Sequence, residues 1–284
     1  MRIAAVFPLV LLVATAARAD EKALIEILND AMRDPYGPSG RGGMERALKR
    51  AEKEGGPATV RVLAKFIQAT FNDETAMKDE MRGIKKKGRV AFEDIERLKR
   101  EIAHLKHRES AGATGLGPQI TKREVSLRSA AETLELAKND TFRLDRLSDV
   151  LRAQRDLAAS GCSTILSRLD SKMFAQGVAG MRSEIVVEHR DPSLLVVHML
   201  RRSGKPDASS ALLEIFSHPK TQVEVRVEAA CAVASLRDKE SMRTLVDRLL
   251  VDKAIEKKRI LHALSRAAGK KLATLDDAKT WLAS

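Results

Sequence analysis

Between Asp73 and Glu109, apolar or small residues return every three or four positions: Met77, Met81, Ile84, Gly88, Ala91, Ile95, Leu98, Ile102 and Leu105. That spacing is a heptad seam sustained over four repeats, with charged residues on the other faces. It predicts a long helix that buries one stripe against a partner. Gly88 is the weak position in the seam, and a local bend is expected there because glycine is a poor helix former. The glycine-rich stretch Ser110–Pro118 reads as a turn. Thr121 and Glu124 have the spacing of a capping box, so a second long helix is expected from Thr121 to about Ser160. It carries Leu127, Ala130, Leu134, Ala137, Leu144, Leu147, Leu151 and Ala158, with one slip of the heptad near 141–147. Two helices of matched length joined by a short turn predict an antiparallel coiled-coil hairpin over 73–160; one strand of a parallel dimer is the alternative.

The flanking segments are shorter. Ala23, Leu24, Ile27, Leu28 and Met32 give a helix over 21–32, and the breakers in 34–43 give a loop. Met44–Glu54 reads as helix, Gly55-Gly56 ends it, and Pro57 opens a third helix through Phe71. None is long enough to stand alone, so residues 20–72 form N-terminal helices that must pack on one another or on later elements. Residues 161–190 read as a helical connector, suggested by Leu166 and Leu169 and interrupted by Gly177 and Gly180.

From residue 191 the pattern changes. Asp191-Pro192 looks like a helix start, and Thr221 with Glu224 like another capping box. The run from Val225 to Leu236 is rich in Ala and Val, Asp238 marks a turn, and Leu245, Leu249 and Leu250 continue the pattern. A shift of 31 residues lays Leu261, Ala263, Leu264 and Ala267 on Ala230, Ala232, Val233 and Leu236. A shift back of 36 lays Leu194, Val197 and Leu200 on Ala230, Val233 and Leu236. The central run, with Val225, Arg226, Ala229, Ala230, Ala232, Val233 and Leu236, resembles the first helix of a HEAT repeat of the short kind found in phycobilisome-lyase-like proteins. The tail through Trp281, with Thr274 and Asp277 placed to cap a last helix, looks like the ending of exported bacterial proteins of this type. The resemblance covers residues 191–284 and implies a short α-solenoid of two and a half to three units with a docking face. Some relatives of this repeat are cofactor lyases, but the matching positions here concern packing only.

Composition agrees with an all-α fold: Ala, Leu, Lys, Arg and Glu dominate, aromatics are scarce, and no alternating strand pattern occurs. Residues 1–19 have the form of a Sec-type signal peptide. Arg2 precedes an apolar run from Ile3 to Val13, which is too short to span a bilayer, and Ala17-Arg18-Ala19 gives a cleavage site before Asp20. The mature chain is then expected to be soluble, periplasmic or secreted, with no transmembrane span. The formal charge of +12 falls to +10 when Arg2 and Arg18 are removed. Such a balance favours anionic partners, an envelope component rather than nucleic acid for an exported chain. Two cysteines make no disulfide framework; Cys162 and Cys231 can pair only if the fold brings them close, and Cys231 within Ala-Ala-Cys-Ala reads as a buried thiol.

Candidate chemistry is sparse. His104 and His107 share a helix face, but Lys106 and Arg108 beside them oppose a cation and no third ligand is near in sequence. His198 and His262 fall within repeat helices. No zinc-protease, serine-hydrolase or phosphate-loop motif occurs. The expectation is no catalytic residue, no metal ligand and no cofactor. The candidate binding surface is the basic end of the hairpin: Arg97, Lys99, Arg100, Lys106, Arg108, Lys122 and Arg123. The sequence therefore points to a noncatalytic exported scaffold that binds another protein through the repeat and the hairpin, and that self-associates if the coiled coil pairs between copies. The alternative is an electrostatic binder of anionic lipid, glycan or nucleic acid, and the third is an enzyme whose site is assembled from scattered residues.

Overall fold

The computed structural model describes residues 19–33, 41–185, 189–252 and 255–284. Nearly all of the expected signal peptide and most of the 34–43 loop lie outside the described residues. The fold is all-α, with eleven helices and no strand among the described residues. In chain order they are α1 (Ala19–Arg33), α2 (Arg41–Glu54), α3 (Pro57–Ser110), α4 (Gly117–Arg168), α5 (Ser171–Glu184), α6 (Arg190–Ser203), α7 (Ala208–Ser217), α8 (Val223–Leu236), α9 (Lys239–Val251), α10 (Lys257–Ala268) and α11 (Leu275–Ala283). No described helix is long and apolar enough to cross a membrane. The chain divides into two compact units. One joins residues up to Phe71 with Arg152–Ser284; the other is Asn72–Leu151.

Several boundaries differ from those read in the sequence, each for a local reason. The expected helices over 57–71 and 73–109 are one helix, α3, because Asn72-Asp73 contains no breaker and burial continues in helical register from Val60, Leu63 and Ile67 to Met77. The second long helix starts at Gly117, not Thr121. Pro118 fits the first turn, where its missing N–H costs nothing, and the Thr121 hydroxyl donates back to the Gly117 carbonyl at 3.1 Å instead of capping. The expected capping box at Thr221 is also absent: α8 has Gln222 at its N-cap without a side-chain bond, and Glu224 is held by Arg190. Helix α6 begins one residue before Asp191. The capping box of Thr274 and Asp277 is present at the start of α11.

Within Asn72–Leu151, α3 and α4 run antiparallel. Arg123 bonds Glu101 at 2.5 Å, Lys106 bonds Glu124 at 2.8 Å, and a Cβ built on Gly88 would stand 3.2 Å from the Cβ of Ala137. At the turn, Ile102, Leu105, Leu116 and Ile120 close an apolar cluster. Gly88 interrupts nothing: α3 continues through it, and the missing side chain is what lets α4 approach.

In the other unit a continuous apolar core runs from Leu24 on α1 to Leu282 on α11. Gly177 and Gly180 do not break the connector. They lie inside α5, Gly177 against Leu166 and Leu169 and Gly180 against the stem of Arg61. At the α2–α3 corner, a Cβ on Gly55 would meet the Ala51 carbonyl oxygen at 2.3 Å and Ile165 at 3.2 Å. Gly55→Ala is therefore expected to destabilise the protein by about 2–3 kcal/mol, read as a fall in melting temperature. An unchanged melting temperature would show that the corner opens freely.

Helices α6, α8 and α10 lie side by side and parallel. Arg190, the first residue of α6, makes a two-pronged bond to Glu224 near the start of α8, at 2.7 and 2.8 Å, and Glu228 of α8 bonds Arg259 near the start of α10. Helices α7 and α9 pack on α8, and the Arg226 side chain ties three elements. Its Nε donates to the Phe216 carbonyl at 2.7 Å, its guanidinium pairs with Asp252, and it stands 5.2 Å from the centre of the Phe216 ring. The last helix departs from this pattern. Arg243 of α9 donates to the Leu282 carbonyl while Asp247 pairs with Lys279, so α11 runs antiparallel to α9. Both cysteines are free; Cys162 is buried with its Sγ 3.8 Å from the Val60 carbonyl oxygen.

Candidate functional site

The basic end of the hairpin can be built residue by residue. Arg97 pairs with Asp94 at 2.6 Å and Lys99 with Glu96 at 3.1 Å, both within one turn of α3, and Arg100 donates to the Glu96 carbonyl at 3.1 Å. Lys106 and Arg123 reach across to Glu124 and Glu101. Lys106 holds the Glu124 carboxylate below its usual range, through its hydrogen bond first and its charge second. Of the seven candidates Arg100 reaches only a backbone carbonyl, and the side chains of Arg108 and Lys122 show no hydrogen-bond or salt-bridge partner among the described residues; all three are exposed. Much of the charge there serves to join and solvate the two helices. Exposed pairs of this kind contribute little to stability.

The same unit carries apolar side chains that the heptad does not use. Phe92 is 54% exposed, Leu136 and Phe142 are each 64% exposed, and Val90 and Val125 are also exposed. Val90 and Phe92 lie within one turn of Gly88 on α3, and Leu136 precedes Ala137, the residue that Gly88 faces on α4. Phe142 carries the Arg146 guanidinium 5.3 Å from its ring centre. The sequence held a signal for them: both phenylalanines fall outside the seam positions.

No family model, characterised protein or solved structure matches the chain.

The remaining chemistry-bearing groups stay scattered. His104, His107, His198 and His262 are exposed, and no three His, Cys, Asp or Glu among the described residues stand close enough to hold a metal ion. A cavity of about 580 Å³ lies among α1, α2, the start of α3 and Met173. Its walls are mainly apolar, including Leu24, Ile27, Ala47 and Leu169; its charged pair, Arg50 and Glu54, is mutually bonded at 3.4 Å. The Thr59 hydroxyl in it accepts from the Gly56 N–H. One carboxyl group stands out: Asp73 is 5% exposed, its Oδ1 has no hydrogen-bond partner, and burial pushes its pKa up to about 6. Cys162 and Cys231 are raised by burial; at Cys231, Glu228 adds to the rise while Arg259, Arg201 and Arg266 oppose it.

Proposed function

We propose that the protein is a noncatalytic exported scaffold or adaptor that holds a partner protein through the hairpin, with residues 191–284 forming a HEAT-like repeat as a second docking element. The observation that carries this reading is the set of large apolar side chains left in solvent on the hairpin: Phe92, Leu136 and Phe142, joined by Val90 and Val125. A packed helix pair normally turns such residues inward, and aromatic residues at a surface mark the centres of protein interfaces. Affinity capture from a native envelope extract tests it, comparing the wild type with the triple variant Phe92→Ser, Leu136→Ser and Phe142→Ser. A protein retained at high salt by the wild type and lost from the variant is the expected result. Equal recovery by both would overturn it, and recovery only of the chain itself would turn the hairpin into a self-association element.

Electrostatic binding of an anionic envelope component is the second reading, favoured by Arg108 and Lys122, exposed at the end of the hairpin without a side-chain partner among the described residues. It predicts capture that collapses as salt rises.

A further inference from the structure

The connections that leave α6, α8 and α10 all begin with a residue in the left-handed conformation: Gly204 with φ 65°, Arg237 with φ 58° and Gly269 with φ 68°. Because the three helices are parallel neighbours, these turns lie along one edge of residues 190–284. Two of them use glycine, which enters this conformation freely. The middle one uses arginine, the only non-glycine residue with positive φ among the described residues, at a conformational cost. Lys239 follows at the first position of α9, where the helix dipole disfavours a cation. Two positive side chains therefore stand on one turn where local physics argues against both.

They are not alone on that edge. Arg201, Arg202 and Lys205 surround the first turn, and Arg266, Lys270 and Lys271 the third. None of the eight forms a salt bridge among the described residues, and all but the half-buried Lys205 are exposed. Arg201 and Arg266 stand on opposite sides of α8, both near enough to act on Cys231. The acids on these turns are Asp207, Asp238, Glu240, Asp276 and Asp277. Asp238 is engaged with the Ser241 N–H, and Asp277 with the N–H groups of Ala273 and Thr274. Lys270 also acts on Asp277 at a distance. Cations in the last turns of α6 and α10 complement the dipoles of those helices, which accounts for Arg201, Arg202 and Arg266 without any ligand. It does not account for Arg237 or Lys239.

We propose that this edge docks an extended acidic segment of a partner protein; the inference rests on the scaffold reading in taking a protein as the partner. Packed helices stand about 8–10 Å apart, and a chain extended as a polyproline II helix advances about 3.1 Å per residue with three residues per turn, so successive turns match carboxylates at every third residue, all on one face. Arginine forks favour carboxylate. A bilayer fits less well. The exposed apolar residues of this region, Val223, Leu250 and Val251, sit at the start of α8 and the end of α9, away from these turns. Single-stranded nucleic acid fits less well too, since residues 201–208, 237–241 and 266–274 contain no aromatic side chain on which a base could stack.

The test is direct binding of labelled peptides to the purified full chain. One peptide has Glu at every third position, one has the same number of Glu in a single run, and a third has Gln in place of Glu. The spaced peptide is expected to bind best, to weaken as salt rises, and to bind about tenfold more weakly to the Arg237→Gly, Lys239→Ala double variant. Arg237→Gly alone is expected to raise the melting temperature, so lost binding cannot be ascribed to unfolding. The serine variant of the hairpin should bind the peptide as the wild type does, which separates failure of the hairpin reading from failure of this one. Unchanged peptide binding by the double variant would overturn the proposal, as would equal binding of the Gln peptide or the clustered-Glu peptide. Tighter, Arg237-dependent binding to anionic phospholipid vesicles or single-stranded DNA would overturn it in favour of those ligands.

Discussion

Phe174→Ala is expected to lower the unfolding free energy by about 3–5 kcal/mol, the range for removing a fully buried aromatic side chain. Phe174 lies one turn into α5 and is only 2% exposed. The helix is fixed from its start, because Asp170 accepts the Met173 N–H at 2.9 Å and the Phe174 N–H meets the Asp170 carbonyl at 2.7 Å. It is also held close to its neighbours, because Gly177 leaves room for less than a methyl group beside Leu166. A helix pinned at both points collapses little into the space a phenyl ring vacates, so the upper part of the range applies. Urea titration followed by circular dichroism measures the effect, with the midpoint falling and the slope preserved. Met173→Ala is the control. That side chain is partly exposed, and its loss should change stability by no more than about 0.5 kcal/mol. Equal losses at the two positions would show that α5 is not anchored by this ring.

Asp73→Asn is expected to act in the opposite direction, raising stability by roughly 2 kcal/mol at neutral pH. The native carboxyl group has its pKa raised from 3.8 to about 6 by burial, so the folded state prefers the protonated form. Below about pH 4 the group is protonated in the folded and unfolded chain alike, and the substitution should be nearly neutral there. Between pH 4 and 6 the unfolded chain releases its proton first. The burial penalty of the charge grows through that window and is complete above it. The stabilisation by Asn should therefore appear between pH 4 and 6 and level off by about pH 7. Thermal unfolding of both proteins across this range measures it; a difference independent of pH would mean that the effect comes from packing and not from ionisation.

The all-α class was legible because heptad spacing and helix-forming composition agree along most of the chain. The seam residues Met77, Ala91, Ile95, Leu98, Ile102 and Leu105 are all buried. Glycine misled at three positions. Gly88, Gly177 and Gly180 read as weak points, yet each lies inside a helix where the absence of a side chain admits a neighbour. Propensity describes a lone segment and says nothing of what packs on it. Two capping boxes failed for a related reason: Glu124 and Glu224 were claimed by Lys106 and Arg190, partners remote in sequence. The basic hairpin end was likewise legible as charge but not as pairing, since most of its cations find acids across the turn or one turn away. The burial of Asp73 needed coordinates, because it depends on which face a neighbour covers, and so did the left-handed backbone of Arg237; Phe92 and Phe142 were marked in the sequence only by their places outside the seam.

The buried thiol of Cys162 has a practical consequence. Burial raises its pKa far above the ordinary thiol range, so inside the folded chain it supplies almost no thiolate to react. Alkylation at that sulfur must wait until α3 and α4 part around Val60. In a background where the half-buried Cys231 is serine, the rate at which Cys162 takes up a maleimide becomes a clock for opening of the core, counted one molecule at a time.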